Sequence, residues 1–326
     1  MTEQVLAVRR MQDYIETHLD ERISSVDLGA ACSYSPWYAY RLFTQWLKRT
    51  PAEYIRRLRL SRSALLLRDA QRKVADVAFE VGFNSVDGYQ RAFFSEFGCN
   101  PREYAAHPSP LYLFTPYKVI HPDKTKEKRM ENSKTVFVLT VEKPARKALI
   151  KRGVTAADYY QYCAEVGCDV WGYLLSIKQA IGEPVGLWLP KEMIAPNTSE
   201  YVQGVEIDAN DTSPVPEGLV AIDLPAATYL RFQGEPFSED EYESAIDEVW
   251  SAIRKFDPAT AGYAWDDRNP RIQLEPVGTR GYIELVPVKK TPVREIGEKP
   301  GAFHRVGLFA RHPPTADSVS GLRSQM

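Results

Sequence analysis

An internal repetition near the start of the chain constrains its fold more than any other feature. SPWYAYRLF, residues 35–43, aligns with SVDGYQRAF, residues 85–93, at a shift of 50 residues, and Arg91 falls where Arg41 falls. In the first copy Ser35 is an N-cap and Pro36 occupies the first helical position, where a missing N–H costs nothing. Just upstream, Ser24 or Ser25 caps a shorter helix running to about Cys32, with Asp27 in its first turn where the helix dipole favours an acid. Gly29, Ala30 and Ala31 permit close helix crossing, and the chain turns at Ser33–Tyr34. Two short helices joined by a tight turn make a helix-turn-helix unit. The second copy, KVADVAFEVGFNSVDGYQRAFFSEFGCNP, repeats the plan with Val74, Val77, Ala78 and Val81, a turn at Gly82, Ser85 as N-cap, and a helix expected to bury Tyr89, Phe93, Phe94 and Phe97.

Between the two units, Thr50, Pro51 and Glu53 form a capping box that opens a long helix, TPAEYIRRLRLSRSALLLRD. Over about 19 residues at 1.5 Å each it reaches nearly 30 Å, close to the ~34 Å repeat of successive major grooves on one face of DNA. It reads as a rigid spacer. From Arg41 to Lys73 ten Lys/Arg face only Glu53 and Asp69, an electrostatic footprint for nucleic acid. Residues 5–19 add an opening helix with Val5, Val8, Met11, Ile15 and Leu19 on one face.

Trp37, Tyr40 and Arg41 stand at i, i+3 and i+4 and share a helix face, whereas Leu42, Phe43, Trp46 and Leu47 supply the opposite one. One face packs and the other is free to enter a major groove, where arginine pairs bidentately with guanine. Simple core packing is the competing role for Trp37 and Tyr40.

Residues 5–104 resemble the two-unit DNA-binding domain of the AraC/XylS family of bacterial transcription regulators. The resemblance rests on SPWYAYRLF, TPAEYIRRLRLSRSALLL, VADVAFEVGFNS and the closing FSEFGCNPREY. It implies two recognition helices in adjacent major grooves of double-stranded DNA. Base-contacting roles fall on Trp37, Tyr40, Arg41 and Gln45 in the first and on Val86, Asp87, Gln90 and Arg91 in the second. Asp87 and Gly88 place an acid and a flexible residue where polar or basic side chains often sit, so the second unit is expected to bind more weakly.

Charge divides the chain: residues 1–134 carry 21 Lys/Arg against 16 Asp/Glu, and residues 135–326 carry 20 against 27. A basic half joined to an acidic half suggests a polyanion-binding module plus a second function. The expected organisation is an all-α tandem helix-turn-helix domain (1–107), a proline-containing linker (108–134) whose Leu111–Phe114 docks on a neighbour, an α+β domain (135–290), and a disordered tail (291–326).

The acidic half has its own repetition. KPARKALIKRG (143–153) and LPAATYLRFQG (224–234) share positions at a shift of 81, as do YVQGVEI (201–207) and YIELVPV (282–288). Each unit reads as a strand pair (135–142 with 146–151; 218–223 with 227–233), one long helix (about 156–181; 239–256) and a returning strand. The expectation is an antiparallel sheet covered on one side by two helices. Glu284 interrupts an apolar strand, and its counterpart is the neutral Gln203. A carboxylate among aromatics attracts a hydrophobic cation, whereas a strand-edge glutamate facing water is the plainer reading.

This half resembles the GyrI-like small-molecule-binding domains that serve as effector modules of drug-responsive regulators. The paired P-A…G strands, SEDEYESAIDEVWSAI and YIELVPV carry the resemblance. It implies that Glu284 sits at the bottom of an aromatic-walled cleft between the repeats. Trp188, Tyr229 and Tyr282 are the foremost wall candidates, with Tyr173, Trp265, Trp171 and Tyr201 in reserve.

No G-x-S-x-G, P-loop, dinucleotide fingerprint or H-E-x-x-H occurs, and the five histidines are scattered, so no enzyme and no cofactor is expected. Two alternatives stand beside the sensor: a hydrolase in which Glu284 and a nearby tyrosine activate water, and a protein-binding module. The four cysteines lack metal-ligand spacing. No run of about 18 apolar residues suggests a membrane span. The expectation is a bacterial, cytoplasmic, nucleoid-associated regulator with DNA, a small effector and RNA polymerase as partners.

Overall fold

The computed structural model describes residues 3–70, 72–116, 135–238 and 241–291. The tail expected to be disordered lies outside these residues, apart from Thr291. Seven helices form the first part: α1 (Glu3–Thr17), α2 (Ser25–Cys32), α3 (Pro36–Leu47), α4 (Pro51–Asp69), α5 (Val74–Glu80), α6 (Val86–Phe97) and α7 (Pro101–Ala106). Helices α3 and α6 begin and end 50 residues apart, and Ser35 and Ser85 cap them by accepting from Tyr38 N and Gly88 N. The repetition extends further. Thr50 and Asn100 cap α4 and α7, each with proline at the first turn, and Tyr54 and Tyr104 are both buried.

Helix α4 belongs to two cores at once. Its Tyr54 and Ile55 pack with Met11, Ile15, Leu42 and Phe43, while Leu60, Ala64 and Leu67 pack with Val77, Ala78, Tyr89 and Phe93. Burying a side chain of this size contributes about 1.5–3 kcal/mol, so each end of the spacer is held by its own unit. Arg59 adds a polar tie: Nε donates to Leu19 O at 2.8 Å, Nη1 to Gly82 O at 2.8 Å, and Nη2 to the Glu21 carbonyl. One guanidinium thus satisfies carbonyls from both units.

The described residues of 135–291 form a nine-stranded antiparallel sheet with three α-helices. The elements are β1 (Phe137–Lys143), β2 (Arg146–Arg152), α8 (Tyr159–Val166), α9 (Val170–Leu175), β3 (Val185–Trp188), β4 (Tyr201–Asp208), β5 (Val220–Leu224), β6 (Ala227–Gln233), α10 (Tyr242–Lys255), β7 (Tyr263–Trp265), β8 (Arg271–Gln273) and β9 (Ile283–Lys290). The order is β1-β6-β9-β8-β3-β4-β2-β5, with β7 also on β9. The halves meet at the β8–β3 pair, where Trp188 stands opposite Arg271.

Two expectations require correction. The strand pairs read as local hairpins are exchanged: β1 pairs with β6 of the second repeat, and β5 pairs with β2 of the first. The links Pro144–Ala145 and Pro225–Ala226 explain why. A two-residue primed hairpin turn needs positive φ at its first central position, which proline cannot adopt. The helix expected over 156–181 is two helices, broken where the chain turns at Gly167, φ +101°.

Residues 108–116 are not a free connector. Leu111 and Leu113 are buried in the core of the second helix-turn-helix unit, alongside Leu175 of α9. Leu111 N donates to Ser176 Oγ at 2.8 Å, Phe114 N to Ser61 Oγ at 2.7 Å, and Arg68 Nη1 to Leu175 O at 2.7 Å. The docking read for Leu111–Phe114 therefore involves both halves. Gly172 is a requirement of that contact, because a Cβ there would lie 2.0 Å from Leu113 O. Gly172→Ala is expected to cost about 1–3 kcal/mol in denaturant unfolding and to make residues 108–116 cleavable by protease. Gly182→Ala, with nothing within 4 Å of its Cβ, is the near-neutral control.

Candidate functional site

The outward face of α3 carries the four residues singled out in the first unit. Trp37 is 69% exposed, Tyr40 is 48% exposed, and Arg41 and Gln45 are also exposed. Core packing is thereby excluded for Trp37 and Tyr40. Leaving an indole in water is unfavourable, and a large exposed apolar surface marks an interaction site. The Arg41 guanidinium lies over the Trp37 ring at 5.1 Å and the Tyr38 ring at 5.3 Å, which positions a cation beside the exposed indole.

The corresponding face of α6 is less positive, because Asp87 offsets Arg91. Asp87 and Arg91 are exposed, Val86 and Gln90 are half-buried, and Arg91 Nε donates to Asp87 O at 3.3 Å. Phe94, expected inside, is 59% exposed and continues this face one turn beyond Gln90 and Arg91. Phe93 and Tyr89 already fill the inward positions. The second unit thus presents an apolar ring where the first presents a small polar one, Thr44. The basic surface is also narrower than the sequence suggests. Arg57 is paired with Glu96 at 2.6 Å, Arg59 ties the two units, and Arg68 binds Leu175 O, which leaves Arg56 and Arg62 exposed on the spacer.

The second site lies on the helical face of the sheet. Alternation along β9 sends Glu284 toward α10 together with Phe232 of β6, its register partner. Glu284 has no exposed surface. Its Oε1 accepts from Trp250 Nε1 at 2.5 Å and from the Tyr282 hydroxyl at 2.5 Å, and its Oε2 pairs with the Arg271 guanidinium. A buried carboxylate demands such partners, since leaving it unpaired costs several kcal/mol. Burial, and next the Glu284 charge, push the Tyr282 phenol well above its ordinary pKa, so it stays a hydrogen-bond donor. Arg271 also lies over Trp188 at 4.8 Å and over Trp250 at 5.8 Å.

Above this group opens a cleft of about 260 Å³. Its walls are Tyr159 and Tyr160 from α8, Trp188 from β3, Tyr242, Ile246 and Trp250 from α10, Gln273 from β8, and Tyr282; Asp158, Glu243 and Asp247 bring acid to it. Larger hollows, about 350 Å³ under the 211–216 loop and about 410 Å³ between the two helix-turn-helix units, have no comparable aromatic lining.

Of the six ligand-site residues read from the sequence, Trp188 and Tyr282 line this cleft and Glu284 lies buried behind it, bound to Tyr282. The other three lie elsewhere. Tyr229 points to the opposite face of the sheet, where its hydroxyl accepts from Arg146 at 3.1 Å beside the buried Arg146–Glu206 pair. Burial there pushes its pKa up to about 12. Tyr173 packs against Tyr112 in a tilted ring pair at 4.7 Å and donates to Glu217 O, on the side of α9 that meets residues 108–116. Trp265 sits on β7, paired to Val288 and 6.4 Å from Phe256. Trp250 and Arg271 were missed. Trp250 reads as one member of an apolar helical stripe, and Arg271 lies outside any repeated segment.

Two helix-turn-helix units on a fixed spacer, joined to a sheet domain whose aromatic cleft is backed by a buried carboxylate bound to its Trp250 and Tyr282 walls, define a regulator-type architecture of DNA arm and effector module. Comparison with known proteins agrees. A helix-turn-helix domain family matches residues 28–107, and a family described as integron-associated effector binding protein matches residues 169–286. The chain is 31% identical over 97 residues to regulatory protein SoxS of Salmonella typhimurium, a match spanning 30% of this chain and 91% of that one. It is 34% identical over 101 residues to Right origin-binding protein of Escherichia coli K12, and 34% identical over 97 residues to the E. coli K12 protein YkgA. Those two matches cover 31% and 30% of this chain but only 35% and 41% of the relatives' own lengths. The chain belongs to the AraC family of helix-turn-helix transcription regulators.

The asymmetry of α3 and α6 predicts unequal dependence on their arginines. Arg41→Ala is expected to lower affinity for a selected DNA site by about 1–3 kcal/mol, and Arg91→Ala by less, measured by fluorescence anisotropy at fixed salt. A larger loss at Arg91 contradicts the reading.

Proposed function

We propose that this protein is a sequence-specific DNA-binding transcription regulator whose sheet domain senses a small hydrophobic cation. The observation that carries the sensing part is the buried Glu284 carboxylate beneath the aromatic cleft, with Asp158, Glu243 and Asp247 around it. A cation gains from the acidic surroundings and from aromatic faces stripped of water. The DNA-binding part is supported by the exposed faces of α3 and α6 and by the 19-residue spacer, about 28 Å long at 1.5 Å per residue. Base-contacting roles are assigned to Trp37, Tyr40, Arg41 and Gln45 and to Val86, Asp87, Gln90 and Arg91, with Phe94 added. The domain limits adopted are 1–107 and 135–290.

A sensor accounts for the cleft better than a hydrolase does. Both Glu284 oxygens are already engaged by Trp250, Tyr282 and Arg271, so the carboxylate is not poised to take a proton from water. The mechanism is a shift between two states of differing DNA affinity or RNA polymerase contact, driven by the ligand's preference for one of them. Because α9 is hydrogen-bonded to the spacer helix and to residues 108–116, movement of the sheet domain has a direct mechanical route to the DNA arm. A DNA partner supports a location in the bacterial cytoplasm, on the nucleoid.

Selection of fragments from a random DNA pool by the full chain tests the proposal. The expected result is enrichment of two half-sites with centres about 10 base pairs apart, with recovery altered by benzyltrimethylammonium. Glu284→Gln is expected to keep the DNA selection and lose the response to the cation. Failure to enrich any sequence overturns the DNA reading. A cation response retained by Glu284→Gln overturns the assigned sensing site.

A further inference from the structure

We infer that Arg271, seated against two wall residues of the effector cleft, Trp188 and Trp250, is a built-in stand-in for the effector. Its guanidinium holds the place of a ligand's cationic group, and the effector binds by exchanging with it. This inference rests on the proposed reading of the cleft as an effector site.

The arrangement around Arg271 is that of a cation-binding site already filled. Its guanidinium lies between two indoles, 4.8 Å from the Trp188 centroid and 5.8 Å from that of Trp250, with the carboxylate of Glu284 beneath it. These are the elements that recognise a cationic ligand: aromatic faces and one opposite charge in a desolvated pocket. At Glu284 itself an external cation finds no free oxygen, because Oε1 is held by Trp250 and Tyr282. Only Oε2, the oxygen that Arg271 occupies, is available for exchange.

Exchange is feasible for Arg271 and for none of the other partners. Tyr282 is fully buried, and Trp250 is fixed on α10 by the core that includes Val249 and Ile253. The Arg271 side chain keeps 31% exposure and starts from the first residue of a three-residue strand, so its head can swing into solvent. Asp158, Glu243 and Asp247 offer the departing guanidinium a region of opposite charge.

The exchange also sets ligand selectivity. Glu284 has no exposed surface, so removing Arg271 without replacing its charge strands a buried carboxylate. A neutral aromatic fills the same volume but cannot replace that charge. The site therefore selects a cation over its neutral isostere by the requirement of charge replacement, and Arg271 weakens binding of every ligand by competing with it.

The experiment is a titration of the full chain, followed by tryptophan fluorescence, with benzyltrimethylammonium and with its neutral isostere neopentylbenzene. Wild type is expected to bind the cation and not the isostere. Arg271→Gln, which keeps an amide donor within reach of Glu284 but removes the competing charge, is expected to bind the cation at least about tenfold more tightly. Cation binding by wild type with equal or weaker binding by Arg271→Gln overturns the exchange and leaves the effector site standing. No cation binding by either protein overturns both. Should Arg271→Gln not fold, nitrogen-15 NMR of the wild-type arginine Nε–H groups decides. At saturating cation the Arg271 signal is expected to move to the position of a solvent-exposed arginine, and a signal that stays in place overturns the exchange.

Discussion

A carboxylate with no exposed surface has to be solvated by the protein around it, and Glu284 imposes that condition on the whole sheet domain. Its Oε1 fixes the Trp250 indole and the Tyr282 hydroxyl, which in turn sets where α10 lies over β6 and β9. Its Oε2 draws Arg271 across the β8–β9 pair, and Arg271 carries Trp188 of the neighbouring half into the same group. Elements from both repeats therefore converge on one buried carboxyl group. The β8–β3 pair makes this possible, because it joins the two halves into a single sheet and sets Trp188 opposite Arg271.

A comparable economy holds in the helical part. The spacer helix contributes to both cores, and Arg59 binds carbonyls from both units, so the separation of α3 and α6 is set by packing as much as by helix length. The same helix reaches the sheet domain through Arg68 and Ser61. Residues 108–116 lie between, with main-chain donors committed to Ser176 on one side and Ser61 on the other. Most of the spacer's charge is thus structural, and the charge left for DNA is concentrated at Arg56, Arg62 and the face of α3.

Local chemistry was legible in the sequence, whereas long-range pairing was not. Serine, threonine and asparagine caps followed by proline reveal helix starts, because capping is decided within four residues. The 50-residue and 81-residue repetitions reveal two duplicated units without any knowledge of contacts. The strand exchange is a choice between equally apolar partners, and only the prolines at 144 and 225 hint at it. Tyr282 leads directly into β9, two residues before Glu284, so their shared face follows from the alternation of extended chain. Tyr229 depends on the register of β6 against β9, which places it opposite Pro287 and on the other face. Phe94 was misjudged because three phenylalanines within five residues cannot all face one core. Arg271 resembles any surface arginine until the register brings it beside Trp188.

The central claim is that the cleft and the DNA arm are energetically linked, and linkage is reciprocal. The most direct measurement is the dissociation constant of benzyltrimethylammonium for the full chain, determined by calorimetry in the absence and in the presence of saturating DNA carrying the selected double half-site. DNA is expected to change this constant by the same factor by which the cation changes affinity for DNA. Cation binding of identical strength with and without DNA would contradict the linkage.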